Sequence, residues 1–257
     1  MLIAHLSDPH LSTGPLAAGP AVGLFRALGR AIAIEPQPDW IVISGDLTEH
    51  GTAAEYEDLR QIIDGVAVPT YLMTGNHDNR DAFLAAFAGG PHLAGASEAS
   101  YVVEHATATL VALDSLDPGH AGGRLGQTQL GWLDDQLQRR PQIPTLVAVH
   151  HPPIPVGIPF LDGIGLADGN ALADVLARHP QVVRVLSGHV HRPITTAFGK
   201  TILTTAASTY RQTSLTLLAD RRIGYLNEPP SFLVHQVSST GCITHTVPVE
   251  GSAIFGY

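Results

Sequence analysis

The chain has 257 residues, 44% hydrophobic and 14% charged, with a net charge of −9 when histidine is neutral. Such a chain can bury a core and is not disordered. Its acidic balance argues against a grip on long nucleic acid or an anionic membrane, either of which needs a basic face. A small phosphate ligand stays compatible, because bound cations dominate a local field. Cys242 is the single cysteine, so no internal disulfide can form and a reducing compartment fits. No run of about 20 apolar residues could span a membrane. The first residues carry no basic leader, so the expected location is the cytoplasm.

In chain order, Leu2 to Ser7 reads as a strand that stops at Asp8. Val22 to Ile34 has helical spacing and ends before Pro36. Trp40 to Ser44 is a buried strand by its length and β-branching. Thr52 to Ile63 reads as a helix, with Thr52 and Glu55 in capping-box positions. Thr70 to Met73 is a short strand, and Asp81 to Phe87 a helix that breaks at Gly89-Gly90. Tyr101 to Glu104 and Thr109 to Leu113 read as a hairpin. Gln127 to Arg139 is an amphipathic helix and Thr145 to Val149 a strand. Pro152 to Gly169 is rich in Pro and Gly and reads as a long loop. Its aliphatic residues could meet a nucleobase, but packing on each other is the favoured reading. Asn170 to Arg178 is helical, and Val182 to Leu186 is a strand. Short strands follow at Thr201 to Thr205, Ser214 to Leu218, Phe232 to Val237 and Cys242 to Val247. The rhythm is βαβα first and strand-rich later. It predicts one α/β (α+β) domain over residues 1–257, with two packed mixed sheets flanked by helices. The segment 210–230 departs from this rhythm and reads as a flap or a dimer contact, so a homo-oligomer is an open expectation.

Several strands end on metal-ligand residue types. Asp8-Pro9-His10 follows the first strand, and in extended chain i and i+2 point the same way, so both side chains can reach one metal. Asp46 follows Gly45, and its two oxygens could bridge two cations. Gly75-Asn76-His77-Asp78 offers a neutral oxygen ligand in Asn76 and an imidazole, His77, placed for substrate. Asp78 is expected to orient that imidazole. His150 ends a strand directly and is the expected ligand of the His150-His151 pair. His151 then lies behind it or is simply packed. His189 and His191 flank Val190 after Gly188, able to hold different metals of one pair. Glu49 and His50 read as solvated loop residues. Asp114 could face the site. His5, His92, His105, His120, His179, His235 and His245 read as surface or satisfied core groups, and Cys242 as a small buried residue.

Taken in order, these motifs resemble the calcineurin-like metallophosphoesterase superfamily. They run from Asp8 to His191. The tetrad ends in Asp78 and not in the glutamate of serine/threonine phosphatases, and Glu49 stands where purple acid phosphatases place a tyrosine. The pattern is most similar to bacterial class III cyclic nucleotide phosphodiesterases and their glycerophosphodiesterase relatives. The resemblance implies a four-layer αββα sandwich and two transition-metal ions, whether iron, manganese or zinc. It implies that Asp8, His10, Asp46 and His191 hold one ion, and that Asp46, Asn76, His150 and His189 hold the other. The implied activity is hydrolysis of a small phosphodiester by a metal-activated hydroxide, with His77 and Asp78 as the catalytic side chains. A 3′,5′-cyclic nucleotide is the favoured substrate. A glycerophosphodiester or a broader range of phosphate esters is the alternative, and a non-catalytic scaffold of the same fold the remote one.

Overall fold

The computed structural model describes residues 1–87, 93, 98–239 and 241–250. Its first half runs β1 (Leu2–Leu6), α1 (Ala18–Ile32), β2 (Trp40–Ile43), α2 (Ala53–Ile63), β3 (Thr70–Leu72), α3 (Arg80–Phe87), β4 (Tyr101–Glu104) and β5 (Thr109–Leu113). Then come α4 (Gly126–Arg139), β6 (Thr145–Val149), α5 (Pro159–Asp162), α6 (Gly169–Leu176), β7 (Val182–Ser187), β8 (Ile194–Phe198) and β9 (Thr201–Thr205). The last elements are β10 (Gln212–Thr213), β11 (Tyr225–Leu226), β12 (Ser231–Ser238) and β13 (Gly241–Pro248). The expected break at Gly89-Gly90 and the reading of His92 lie outside the described residues.

Two large sheets form, ordered β13-β12-β1-β2-β3 and β4-β5-β6-β7-β9-β8. Both are mixed. In the first, β1, β2 and β3 run parallel while β12 and β13 are antiparallel. In the second, β5, β6, β7 and β9 run parallel, with antiparallel β4 and β8 at the edges.

Side-chain alternation sets the layers. On β5, Leu110 and Ala112 join the core shared with the first sheet, while Val111 and Leu113 join the core under α4 and α6. On β6, Leu146 and Ala148 point one way and Val147 and Val149 the other. The second sheet is therefore buried on both faces, which is why its strands read as continuous apolar runs. Helices α1, α2 and α3 contribute Leu24, Leu28, Tyr56, Leu59 and Phe83 to the first core. The αββα expectation holds.

Thr52 caps α2 as expected, accepting from Glu55 N while the Glu55 carboxylate takes Thr52 N. Other boundaries differ. Helix α1 starts at Ala18, four residues before Val22, because Pro20 falls in its first turn, where a missing N–H costs nothing. Strand β8 was not foreseen; it is an edge strand joined to β9 through Gly199, whose φ is 58°. The strand expected at Ser214 to Leu218 is absent. Its alternating Leu215 and Leu217 are exposed, so no apolar face was available to fix it in a sheet. The 152–169 segment contains the single turn of α5. Its Ile158 and Leu161 bury against Val190, with Val156, Ile164 and Ile223 alongside. Packing on each other thus holds for Val156, Ile158 and Leu161, while Ile154 packs on the core under α4 and α6 and Phe160 is exposed.

Candidate metal centre

The proposed ligands sit just past the carboxyl ends of β1, β2, β3, β6 and β7, where parallel strands of such folds place their sites. Backbone bonds hold the loops side by side: Asp8 N donates to Gly45 O at 3.1 Å and His10 N to Asp46 O at 3.0 Å. Contacts between the sheets close the site. His189 N reaches both Asp8 carboxylate oxygens at 3.1 Å, and His150 Nδ1 donates to Ser44 O at 2.8 Å.

Asp8, His10, Asp46, His189 and His191 have φ of 51°, 50°, 46°, 68° and 51°. They are the described non-glycine residues with positive φ, and all five are proposed ligands. The left-handed region costs such residues about 1–3 kcal/mol each and persists where function over-determines it. This corrects the extended-chain argument for Asp8 with His10 and for His189 with His191. The pairs converge because a left-handed turn aims them, not because a strand alternates.

The donors meet closely. His10 Nε2 lies 3.0 Å from His191 Nε2. Asp46 Oδ2 lies 3.6 Å from His10 Nε2 and 3.4 Å from His150 Nε2, so it stands between the two groups of ligands. His191 Nε2 is 3.4 Å from Asp8 Oδ1. His189 Nδ1 is 2.9 Å from Asn76 Oδ1. Asp8, His10, Asp46 and His191 can each offer an atom within 4.8 Å of the others. Three motif glycines leave the room for this. A Cβ on Gly75 would stand 2.3 Å from Asp46 Oδ1, and one on Gly45 2.4 Å from His150 Nδ1. A Cβ on Gly188 would stand 1.9 Å from Ser7 Oγ and 2.6 Å from Asp8 Oδ2.

The donor set fits cations. His150 Nε2 and His189 Nε2 are buried with no hydrogen-bond partner among the described residues, an expensive state unless something else fills it. His150 and His191 spend Nδ1 on the carbonyls of Ser44 and Arg211, which fixes the tautomer that leaves Nε2 for a ligand. Burial, with the charge of His150 adding to it, lowers the pKa of His189 to about 3. Burial, then the charge of His10, holds His191 well below its usual range. Both shifts favour the neutral ring, the form that binds metal. At His150, by contrast, burial is outweighed by Asp46 and Asp8, which raise the pKa to about 9, so a cation there must displace a proton. Burial works against charge on Asp46, but His150, His10 and His77 outweigh it and keep the carboxylate ionised. Mixed nitrogen and oxygen donors without thiolate suit iron, manganese or zinc.

Two expectations change here. Asp78 does not touch the His77 ring. Its oxygens accept from Gly75 N, Leu47 N, Thr48 N, Thr48 Oγ1 and Tyr56 Oη at 2.8 to 3.2 Å. It ties the Asp46 and His77 loops together, and that full set of donors leaves no lone pair aimed at His77. The His77 Nδ1 donates instead to Glu49 O at 3.0 Å, and its backbone N donates to Asp46 Oδ1 at 2.9 Å. Glu49 is not merely solvated: its Oε2 lies 2.9 Å from His10 Nδ1, and Arg211 Nη2 holds both its oxygens. Burial raises the Glu49 carboxyl, but its bond to His10 and the charges of His10, Arg211 and His77 bring it down to about 2. His50 keeps its loop reading, half out in solvent against Glu55.

Other residues have different partners. His151 stands beside His150 and His189, but its Nδ1 is on Ser115 Oγ at 2.8 Å and its Nε2 on Ala121 O at 3.2 Å, which commits both ring nitrogens. Asp114 accepts from Thr74, Arg80, Ala99 and Leu116 and serves the loop structure. His5 and His235 are satisfied core groups. Cys242 is only half-buried, at an edge strand. Arg211 carried no signal in the sequence, since it lies 20 residues beyond the last motif.

The calcineurin-like phosphoesterase profile matches residues 1–193, and the chain belongs to that family. It is 34% identical over 252 residues to the "probable glycerophosphodiester phosphodiesterase" of Arcobacter nitrofigilis, covering 96% of this chain and 92% of that one. It is 32% identical to the 3′,5′-cyclic adenosine monophosphate phosphodiesterase of Pseudomonas aeruginosa, over 75% of this chain and 70% of the relative. Among solved structures it superposes on a dimetal phosphatase from Danio rerio with a TM-score of 0.67 at 17% identity, covering 96% and 98% of the two chains. It also superposes on the inner-membrane-complex anchor GAP50 of Plasmodium with a TM-score of 0.71 at 15% identity, covering 99% and 87%. An enzyme and an anchor share this fold, so the fold alone does not establish catalysis. No helix among the described residues is long and apolar enough to cross a membrane.

Proposed function

We propose that the chain is a two-metal phosphodiesterase acting on small diesters, with a 3′,5′-cyclic nucleotide as the leading substrate class. One observation carries the reading. The strained backbone positions and the orphaned imidazole nitrogens converge on one buried point between the sheets. A scaffold that binds no metal would have no reason to retain that strain.

Asp8, His10, Asp46 and His191 would hold one divalent cation, and Asp46, Asn76, His150 and His189 the other. Bound there, the cations supply positive charge to phosphoryl oxygens and lower the pKa of water toward neutrality. The protein's own residues do the rest. Asp46 keeps its charge and links both halves of the site. His77 holds a proton at Nδ1 against the Glu49 carbonyl, which leaves Nε2 to meet the substrate. A protonated ring there can stabilise charge on phosphorus or protonate the leaving alkoxide. Asp78 fixes the loop that carries His77. Ser44 and Arg211 carbonyls hold the rings of His150 and His191 in place.

A glycerophosphodiester is the second reading, and two observations favour it. A relative with a glycerophosphodiesterase name matches along 96% of the chain. A cleft of about 290 Å³ beside His10, lined by Ser12, Thr13, Pro15, Leu16, Glu49 and Tyr210, has the size for a small polyol.

The test is turnover by manganese-loaded protein against bis(p-nitrophenyl) phosphate, p-nitrophenyl phosphate, 3′,5′-cAMP, 2′,3′-cAMP and glycerophosphocholine, each with a chelator control. Chelator-sensitive diester turnover supports the class, and the ranking of the natural diesters names the substrate. No turnover with manganese, iron or zinc would favour the scaffold reading.

A further inference from the structure

Glu49 and Arg211 reach the proposed ligands from behind. Glu49 Oε2 lies 2.9 Å from His10 Nδ1, on the far side of a ring whose Nε2 faces His191 Nε2 at 3.0 Å. Arg211 then closes a bracket. Its Nη2 donates to the Glu49 oxygens at 3.0 and 3.2 Å, while its carbonyl accepts from His191 Nδ1 at 2.8 Å. Arg211 thus stands behind both imidazoles, bonding the outer nitrogen of His191 through its main chain and holding Glu49 within 2.9 Å of that of His10.

The bracket is itself fixed. The Tyr225 ring of β11 covers the guanidinium at 4.2 Å and lies 5.7 Å from the His191 ring. Ser208 Oγ donates to Asp8 O at 2.6 Å. Helix α1 comes so close that a Cβ on Gly23 would stand 2.4 Å from Thr209 O. The 208–211 segment is therefore pinned between a helix and the metal loops.

A carboxylate on the outer nitrogen of a ligating histidine fixes the ring and raises its basicity. A partly exposed glutamate alone would swing into solvent. A charge-assisted bond from Arg211 to both its oxygens prevents that.

We propose that Glu49 and Arg211 are positioning residues that set the affinity of the cation held by Asp8, His10, Asp46 and His191. The proposal rests on the two-metal reading above.

The experiment is calorimetric titration of Mn²⁺ into demetallated wild type, Glu49→Gln, Arg211→Ala, Arg211→Lys and the Glu49→Gln/Arg211→Ala pair. Wild type takes up two ions. Glu49→Gln and Arg211→Ala each weaken one of them by about 10–100-fold and leave the other near its wild-type value. Arg211→Lys recovers part of the loss by keeping a cation beside Glu49. The paired variant is no weaker than the worse single one, because the two residues act as a unit. With Co²⁺ in place of Mn²⁺, the visible absorption of the weakened site changes. Unchanged affinities in Glu49→Gln overturn the proposal. So does a raised KM in Arg211→Ala with unaltered metal binding, which would make Arg211 a substrate contact. A wild type that binds no ion refutes the two-metal reading itself, a different failure. Thermal melts check folding, and if Arg211→Ala unfolds, Arg211→Lys and Glu49→Gln carry the decision.

Discussion

His5→Gln tests the physical account of the first sheet. His5 is fully buried on β1. Its Nε2 lies 2.8 Å from Ser44 Oγ on β2 and its Nδ1 3.3 Å from His235 Nε2 on β12. Burial lowers its pKa from 6.5 to about 3. Above pH 6.5 the ring is neutral in the folded and unfolded chain alike, and its contribution is whole. As the pH falls from 6.5 toward 3, the unfolded chain binds a proton that the folded chain refuses. Stability is then lost at up to about 1.4 kcal/mol per pH unit. At pH 5 the loss from His5 is about 2 kcal/mol. Gln can keep a bond to Ser44 but cannot titrate, and replacing one buried hydrogen-bond partner costs about 1–2 kcal/mol. Urea unfolding of both proteins at pH 7 and pH 5, in excess chelator, gives the difference. Contributions of the other histidines cancel in that difference except that of His235, which loses its His5 neighbour in the variant. The expected outcome is a variant less stable at pH 7 whose deficit closes or reverses at pH 5. A deficit constant to within about 0.5 kcal/mol would refute the burial argument.

Asp78→Ala strands buried donors of Gly75, Leu47, Thr48 and Tyr56. It should cost about 3–5 kcal/mol in denaturant unfolding, and a loss near zero would mean that water replaces the carboxylate. Gly188→Ala drives a Cβ onto Ser7 and Asp8 and should cost about 1–3 kcal/mol together with weaker Mn²⁺ binding. Gly29→Ala in α1, with nothing within 4 Å of its Cβ, should be neutral or stabilising by up to about 1 kcal/mol. Equal effects at the two glycines would sink the space argument. His77→Ala should keep both ions by calorimetry and lose about 10²–10⁴-fold in turnover. Near-normal turnover with intact metal content would remove His77 from the reaction.

The identities of the proposed ligands were readable because each stands within a few residues of the end of a short apolar strand, and strand period and chain breaks are local signals. The capping box at Thr52 and the β4–β5 hairpin were readable for the same reason. What failed was long-range or depended on backbone hand. Spacing put Asp8 beside His10, but only the loop bonds to Gly45 and Asp46 imposed the left-handed turns that aim them. Asp78 was adjacent to His77 in sequence, yet the unpaired donors of a different loop claimed it. Arg211 reaches Glu49 across 162 positions, and no local pattern encodes such a meeting. Ser214 to Leu218 had strand alternation but no sheet face to bury it against.

The sequence by itself determined which chemistry was available: the oxygen and imidazole donors, their placement at strand ends, and a core able to hold them still. Tertiary structure alone decided which donors converge, which carboxylate supports which histidine, and which residues merely fill hydrogen bonds. The physical reason is that ligand type is a property of a residue, while position and basicity come from neighbours that two packed sheets bring together.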